Sequence, residues 1–179
     1  MLCNRMGINI WEVIDAAKSK PYGFQPFYPG PGLGGHCIPL DPYYLSWKAR
    51  EYGFHTSMIE SSMMINDRMP SYCVSRAGEI LGRAKKALNG AKVLVLGAAY
   101  KQDIGDYRES PALHVMEELR ASGAEVTYFD PFVPEYGFQG QTYRSIPALN
   151  AEAIEGADLV MITTSHTNVD YELVQAHAK

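Results

Sequence analysis

Two runs of residues carry most of the chemical potential of this chain. The first is Gly30-Pro31-Gly32-Leu33-Gly34-Gly35-His36-Cys37-Ile38-Pro39-Leu40-Asp41, where a thiol follows closely spaced glycines and a carboxylate comes one helical turn later. Glycine lets backbone approach a ligand closely and would leave the following thiol unobstructed. A cysteine shortly ahead of a helix N-terminus also feels a partial positive charge that favours thiolate, its nucleophilic form. Asp41 could orient a water or take up a proton, or serve only as the N-cap of a helix opening at Pro42. Cys37 itself reads either as a reactive thiol or as a small buried hydrophobe. Cys3 and Cys73 fall within apolar helical pattern and read as structural. His36 invites a Cys–His dyad reading, which is disfavoured because adjacent side chains usually point apart and no Asn or Asp partner can be placed. His55, His114, His166 and His177 lack metal-ligand spacing and read as surface or satisfied core residues.

The spacing Gly30-x-Gly32-x-x-Gly35 matches a dinucleotide fingerprint literally. That fingerprint must follow a strand and open a helix directly, whereas an aromatic, Pro-rich stretch precedes this one. It is rejected as a dinucleotide turn.

The second run, Gly97-Ala98-Ala99-Tyr100-Lys101-Gln102-Asp103-Ile104-Gly105-Asp106-Tyr107-Arg108-Glu109-Ser110-Pro111, follows a short aliphatic strand. A long connection at the carboxyl end of a parallel strand is where α/β sheets bind ligands. Lys101 and Arg108 supply cationic donors, and a helix opening at Ser110 supplies N–H groups, a set that suits a phosphate or diphosphate. Ion pairing with Asp103, Asp106 and Glu109 is the alternative use of those cations. Asp130 closes the next strand, where ribose-binding acids sit, although Asp-Pro is also an ordinary turn.

Elements must position these runs. Met1 to Ala17 has helical periodicity interrupted at Gly7, and Pro21 to Pro42 is a Pro-, Gly- and aromatic-rich loop too apolar for a plain linker. Helices are expected from Pro42 to about Tyr52 and from about Ser57 to Leu88, the second bent or restarted near Met69-Pro70. Met58, Ile59, Met63, Met64, Ile65 and Met69 give that long helix an apolar surface, suited to core packing or to a subunit interface. Beyond Gly90 the texture becomes strand–helix alternation. Strands are expected at Lys92–Leu96, Glu125–Phe129 and Asp158–Thr163, with helices from Pro111 to Gly123 and from Asp170 to about Ala178. Strands separated by helices imply a parallel sheet. The fold class is therefore α/β, with a central helical region at 1–90 followed by a Rossmann-like parallel sheet domain at 91–179.

Composition bounds the function. The 179 residues carry 16 Lys+Arg against 20 Asp+Glu, a formal net charge of −4, and Lys85-Lys86 is the only notable basic pair. Nucleic-acid binding, which needs clustered positive charge, is disfavoured. With 46% hydrophobic and 20% charged residues the chain can build a core. No apolar stretch approaches the ~20 residues of a membrane span, and no secretory signal opens the chain, so a cytoplasmic location is expected. Three cysteines without a CxxC pair argue against a disulfide framework and a zinc site.

The two runs, in this order, resemble the UDP-glucose/GDP-mannose dehydrogenase family. The likeness rests on Gly32-Leu33-Gly34-Gly35-His36-Cys37-Ile38-Pro39-Leu40-Asp41 and on Ala99 through Pro111, and it extends over essentially the whole chain. Pro26 through Gly32 and Asp41-Pro42-Tyr43-Tyr44-Leu45 look most like the bacterial UDP-N-acetylglucosamine 6-dehydrogenases of surface-polysaccharide synthesis. Leu40 stands where the glucose enzymes usually carry Lys, which fits the acetamido-sugar subgroup. The resemblance implies oxidation of a sugar C6 alcohol to a carboxylate in two NAD-dependent steps. It makes Cys37 the nucleophile that traps the aldehyde as a thiohemiacetal, oxidised to a thioester that water hydrolyses, with Asp41 assisting at that stage. It implies that Tyr100 and Lys101 contact the nucleotide-sugar, that Gly32, Gly34 and Tyr28 line the substrate side of the Cys37 loop, and that Arg108 reaches NAD. The family's NAD-binding domain has no counterpart here, so the chain is expected to be truncated at both ends and inactive alone. A homodimer through the long helix is also expected. The alternative is a stand-alone UDP-sugar-binding or dimerisation module without catalytic activity.

Overall fold

In a computed structural model describing Met1–Lys179, the initial apolar periodicity forms helices α1 (Leu2–Met6) and α2 (Ile10–Lys18), separated at Gly7. Asn9 caps α2 by accepting the Trp11 N–H at 3.0 Å. Trp11 stacks on Tyr28 with ring centroids 5.7 Å apart, and Lys18 Nζ donates to the Tyr28 hydroxyl at 3.4 Å. These residues belong to a compact unit of their own, Met1–Gly30.

The second unit, Pro31–Lys179, opens with α3 (Cys37–Glu51). This helix starts earlier than the Asp41-Pro42 signal implied, and Asp41 is not its N-cap: His36 holds that position and Pro42 lies inside. The physical reason is positional. Pro39 falls in the first turn, where an N–H has no intrahelical partner, and Pro42 costs only the bond to the Ile38 carbonyl one turn from the end. The expected long helix is two helices, α4 (Ser57–Asp67) and α5 (Met69–Arg83), meeting at Arg68. Pro70 cannot donate to the Asn66 carbonyl, which enforces the break. Helix α5 stops before Lys85, which is left-handed at φ 58°, and Lys86 pairs with Asp158.

Strand β1 (Lys92–Leu96) is followed by α6 (Pro111–Ala121), β2 (Glu125–Phe129), a hairpin of β3 (Glu135–Phe138) and β4 (Gln141–Arg144), α7 (Ala151–Glu155), β5 (Leu159–Ile162) and α8 (Tyr171–His177). The parallel sheet has the order β2-β1-β5, with Val95 paired to Tyr128 on one side and Met161 on the other. Strand β1 is an unbroken aliphatic run because both sheet faces are covered. Val93 and Val95 join the core built with α5, α6 and Tyr136 of the hairpin. Leu94 and Leu96 pack with Ile154 of α7 and Val174 of α8. Each of these four side chains is at most 1% exposed, so each contributes about 1.5–3 kcal/mol of apolar burial. The hairpin and α7 were not anticipated from the sequence. No helix is long and apolar enough to cross a membrane.

Candidate functional site

After β1 the chain runs to β2 on one side of the sheet, and it later returns to β5 on the other. The loops leaving the carboxyl ends of β1 and β5 therefore flank a topological switch point, where open α/β sheets receive ligands. The first of these loops, Gly97 to Glu109, is fastened at its start. Gly97 has φ 93°, and a Cβ there would lie 2.6 Å from the Thr164 Cβ. Thr164 Oγ1 donates to the Ala99 carbonyl at 2.6 Å and Thr163 Oγ1 to the Gly97 carbonyl at 2.5 Å.

Asp130 is 2% exposed and faces inward. Its Oδ2 accepts the Ala98 N–H at 2.7 Å and the Ala99 N–H at 3.0 Å, and its Oδ1 accepts those of Phe132 at 2.8 Å and Val133 at 3.0 Å. His166 Nε2 adds a contact to Oδ2 at 3.0 Å. The ribose-binding reading of Asp130 is thereby corrected: its lone pairs are committed to the protein.

The Tyr100 N–H donates to the Asp106 carbonyl at 3.0 Å, which closes the loop on itself. Arg108 embraces the Asp106 carboxylate through Nε at 2.9 Å and Nη2 at 2.7 Å. That contact holds the Asp106 carboxyl down at about 2. The Arg108 side chain is nevertheless 83% exposed at the loop surface. Lys101 is exposed and its ammonium has no protein partner. The helix start does not contribute as expected. Ser110 is buried, its Oγ accepts the Ala112 N–H at 3.3 Å, its carbonyl accepts that of Leu113 at 3.1 Å, and Pro111 has no N–H. The cationic donors at this loop are the Lys101 and Arg108 side chains.

The loop carrying the thiol meets this segment directly. A Cβ on Gly34 would lie 2.5 Å from the Tyr100 Cβ and 2.9 Å from the Glu109 carbonyl oxygen. One on Gly35 would lie 3.0 Å from the Tyr100 ring, and one on Gly32 3.2 Å from the Pro111 Cβ. The close approach these glycines permit is thus to the Tyr100–Pro111 segment itself. Asn66, at the end of α4, accepts the Leu33 N–H at 2.7 Å, and neighbouring Asp67 accepts the Tyr43 hydroxyl at 2.5 Å, which raises the tyrosine's pKa.

Cys37 is exposed as the first residue of α3. One turn on, Asp41 shares its face, and both line an open groove of about 710 Å³ with Ser62 of α4. The rest of the lining is apolar, including Ile38, Leu45, Met58 and Met63. Of the methionine-rich surface only Met63 is buried, while Met58, Met64 and Ile65 are exposed. Cys73 is half-buried, and burial together with the Glu118 charge pushes its thiol up.

Among the predicted site residues, Gly32, Gly34, Cys37, Asp41, Tyr100, Lys101 and Arg108 fall in the second unit, and Tyr28 in the first, against Trp11. Sequence reasoning missed Asn66, Ser62 and the Asp103–His166 contact. A hint for Asn66 lay in its place immediately before a helix break. No three His, Cys, Asp or Glu side chains converge as a metal site. The described residues also form no dinucleotide cradle. The Gly30–Gly35 run follows no strand, and β1 leads into a long loop rather than straight into a helix.

The chain matches two family models: the central domain of the UDP-glucose/GDP-mannose dehydrogenase family over residues 1–68, and that family's UDP binding domain over residues 94–179. It is 38% identical over 133 residues to a UDP-N-acetyl-D-glucosamine 6-dehydrogenase from Pseudomonas aeruginosa, covering 74% of this chain and 31% of the relative. It is 33% identical over 166 residues to a UDP-N-acetyl-D-mannosamine dehydrogenase from Methanococcus maripaludis, covering 92% of this chain and 35% of the relative. Among solved structures, the UDP-D-ManNAc dehydrogenase from Pyrococcus horikoshii superposes with a TM-score of 0.80 at 31% identity, covering 99% of this chain and 40% of that one. The chain thus spans about a third of the length of the curated relatives it matches.

Proposed function

This chain belongs to the UDP-glucose/GDP-mannose dehydrogenase family, whose central and UDP-binding domains it carries, and on that premise we propose that it binds a UDP-sugar where the Gly97–Glu109 loop meets the Cys37 loop. The observation that most supports this reading is the packing of Tyr100 against Gly34 and Gly35. It sets the unpartnered cation Lys101 one residue from a loop that ends at an exposed thiol. Tyr100 and Lys101 engage the nucleotide-sugar, with Lys101 at the diphosphate. The backbone at Gly32 and Gly34 lines the sugar side.

Cys37, exposed as the first residue of α3, adds to the C6 aldehyde of the sugar to give a thiohemiacetal. After oxidation to the thioester, water adds at the acyl carbon, Asp41 takes up its proton, and the thiol leaves as the carboxylate forms. The family uses NAD as hydride acceptor. Arg108 is the residue of this chain that would reach it, once released from Asp106. Because these residues form no dinucleotide cradle, the isolated chain binds substrate without oxidising it. Leu40 beside Asp41 favours an acetamido sugar of the UDP-N-acetylglucosamine type, destined for surface polysaccharide. A second copy docks against the exposed apolar surface of α4 and α5, and the protein works in the cytoplasm.

Calorimetric titration with UDP-N-acetylglucosamine, UDP-N-acetylmannosamine and UDP-glucose tests this reading. Saturable binding, tighter for the acetamido sugars, is expected; heats no greater than dilution for all three would contradict it. Addition of NAD with the bound sugar is expected to give no NADH absorbance, and turnover would refute the claim of inactivity in isolation.

A further inference from the structure

We infer that His166 is a positioning residue for the Tyr100–Lys101 segment, an inference that rests on the UDP-sugar reading of that segment. The imidazole is fully buried, and both nitrogens are engaged. Nδ1 accepts the Asp103 N–H at 2.9 Å, which leaves the ring proton on Nε2 to be donated to Asp130 Oδ2 at 3.0 Å. That same oxygen accepts the amides of Ala98 and Ala99. One buried Asp–His unit therefore fastens the segment on both sides, at Ala98–Ala99 and at Asp103, with Tyr100 and Lys101 carried in between.

The far anchor is a strained one. Asp103 has φ 60°, a left-handed conformation that a non-glycine residue keeps only when its surroundings impose it. The bond to His166 imposes it from the amide side, and the Thr167 N–H, donating to Asp103 Oδ1 at 2.8 Å, from the carboxylate side. His166 and Thr167 both come from the loop after β5, across the switch point. The Phe132 ring packs beside the imidazole, with ring centroids 5.0 Å apart. Without the imidazole, the Asp103 amide and one Asp130 lone pair lose their partners, and the loop samples conformations in which Tyr100 and Lys101 no longer face the ligand together.

The test compares the UDP affinity of the full 179-residue chain by calorimetry with that of three variants, with thermal unfolding followed alongside. H166F removes both bonds. H166Q carries a donor and an acceptor at comparable spacing, able to serve Asp130 and Asp103. I154V trims a fully buried core side chain in α7 and gauges destabilisation alone. UDP affinity is expected to fall about tenfold in H166F as the competent loop population shrinks, to stay within about threefold of wild type in H166Q, and to be unchanged in I154V. Equal affinity in H166F and I154V, or H166Q binding as weakly as H166F, would overturn the inference while leaving the UDP-sugar reading intact. Failure of the wild-type chain to bind UDP would instead remove that reading, and this inference with it. If H166F does not fold, H166N decides in its place, because its shorter side chain reaches only one of the two partners. UDP binding weaker than in I154V supports the positioning role, and equal binding refutes it.

Discussion

Tyr100 occupies the space that a side chain on Gly34 would need, its Cβ 2.5 Å from where that side chain would begin. Two runs far apart in sequence are thereby fixed against each other, one ending in the thiol and the other carrying the cations. Gly34→Ala is expected to force them apart, because the new methyl would also meet the Glu109 carbonyl and Pro111. Overpacking of this kind costs about 1–3 kcal/mol. The expected outcome is a lower unfolding midpoint in urea together with weaker UDP binding. Unchanged values for both would show that the loops do not pack as described.

Two glycines of the second unit make a contrasting pair. Gly97→Ala places a methyl against Thr164 at a φ of 93°, so a loss of about 3 kcal/mol or more is expected. Gly78→Ala, inside α5 with nothing within 4 Å, is expected to stabilise by about 0.5–1 kcal/mol through helix propensity. Chemical denaturation of the two variants reads both signs.

The Asp106–Arg108 pair sets a pH dependence. The folded carboxyl titrates at about 2, below the ordinary unfolded value of about 3.9. Its contribution to stability is therefore complete above the unfolded value and is lost as pH falls through about 2. Arg108→Gln is expected to return the Asp106 carboxyl toward the ordinary range in a carbon-detected NMR titration. The stability gap between wild type and variant should be open at neutral pH and closed in strong acid.

Lys101→Ala is expected to weaken UDP binding with little change in the unfolding midpoint, since the ammonium is exposed and unpartnered. One charge-assisted contact to a diphosphate is worth about 1.5–3 kcal/mol, a loss of roughly tenfold or more in affinity. Equal affinity would place the nucleotide elsewhere.

What could be read from the sequence was local. The bounds of β1 and β2 and the cap at Ser110 follow from aliphatic runs and from a side chain that bonds an amide two residues away, whereas Asp170, read as the first residue of a helix, is its cap. The hairpin β3–β4 escaped because its turn is Gln139-Gly140, both at positive φ (48° and 80°), without the Asn-Gly or Asp-Gly pair that announces such turns. The start of α3 was misplaced because Asp41-Pro42 mimics a helix opening so closely. Cys37, Lys101 and Arg108 were visible as residue types in context. Their supports, Asn66 beneath Leu33 and His166 between Asp103 and Asp130, were not, because those bonds join residues dozens of positions apart with no local pattern to mark them.

The central claim, that the thiol and the nucleotide loop form one site, is tested most directly by alkylation of the chain with iodoacetamide, read residue by residue by mass spectrometry. Cys37 is exposed, whereas burial pushes the Cys73 thiol up and lowers its thiolate fraction, so Cys37 is expected to be modified well ahead of Cys73. Saturating UDP-N-acetylglucosamine should slow modification of Cys37 several-fold and leave that of Cys73 unchanged. An identical Cys37 rate with and without the UDP-sugar would contradict the account.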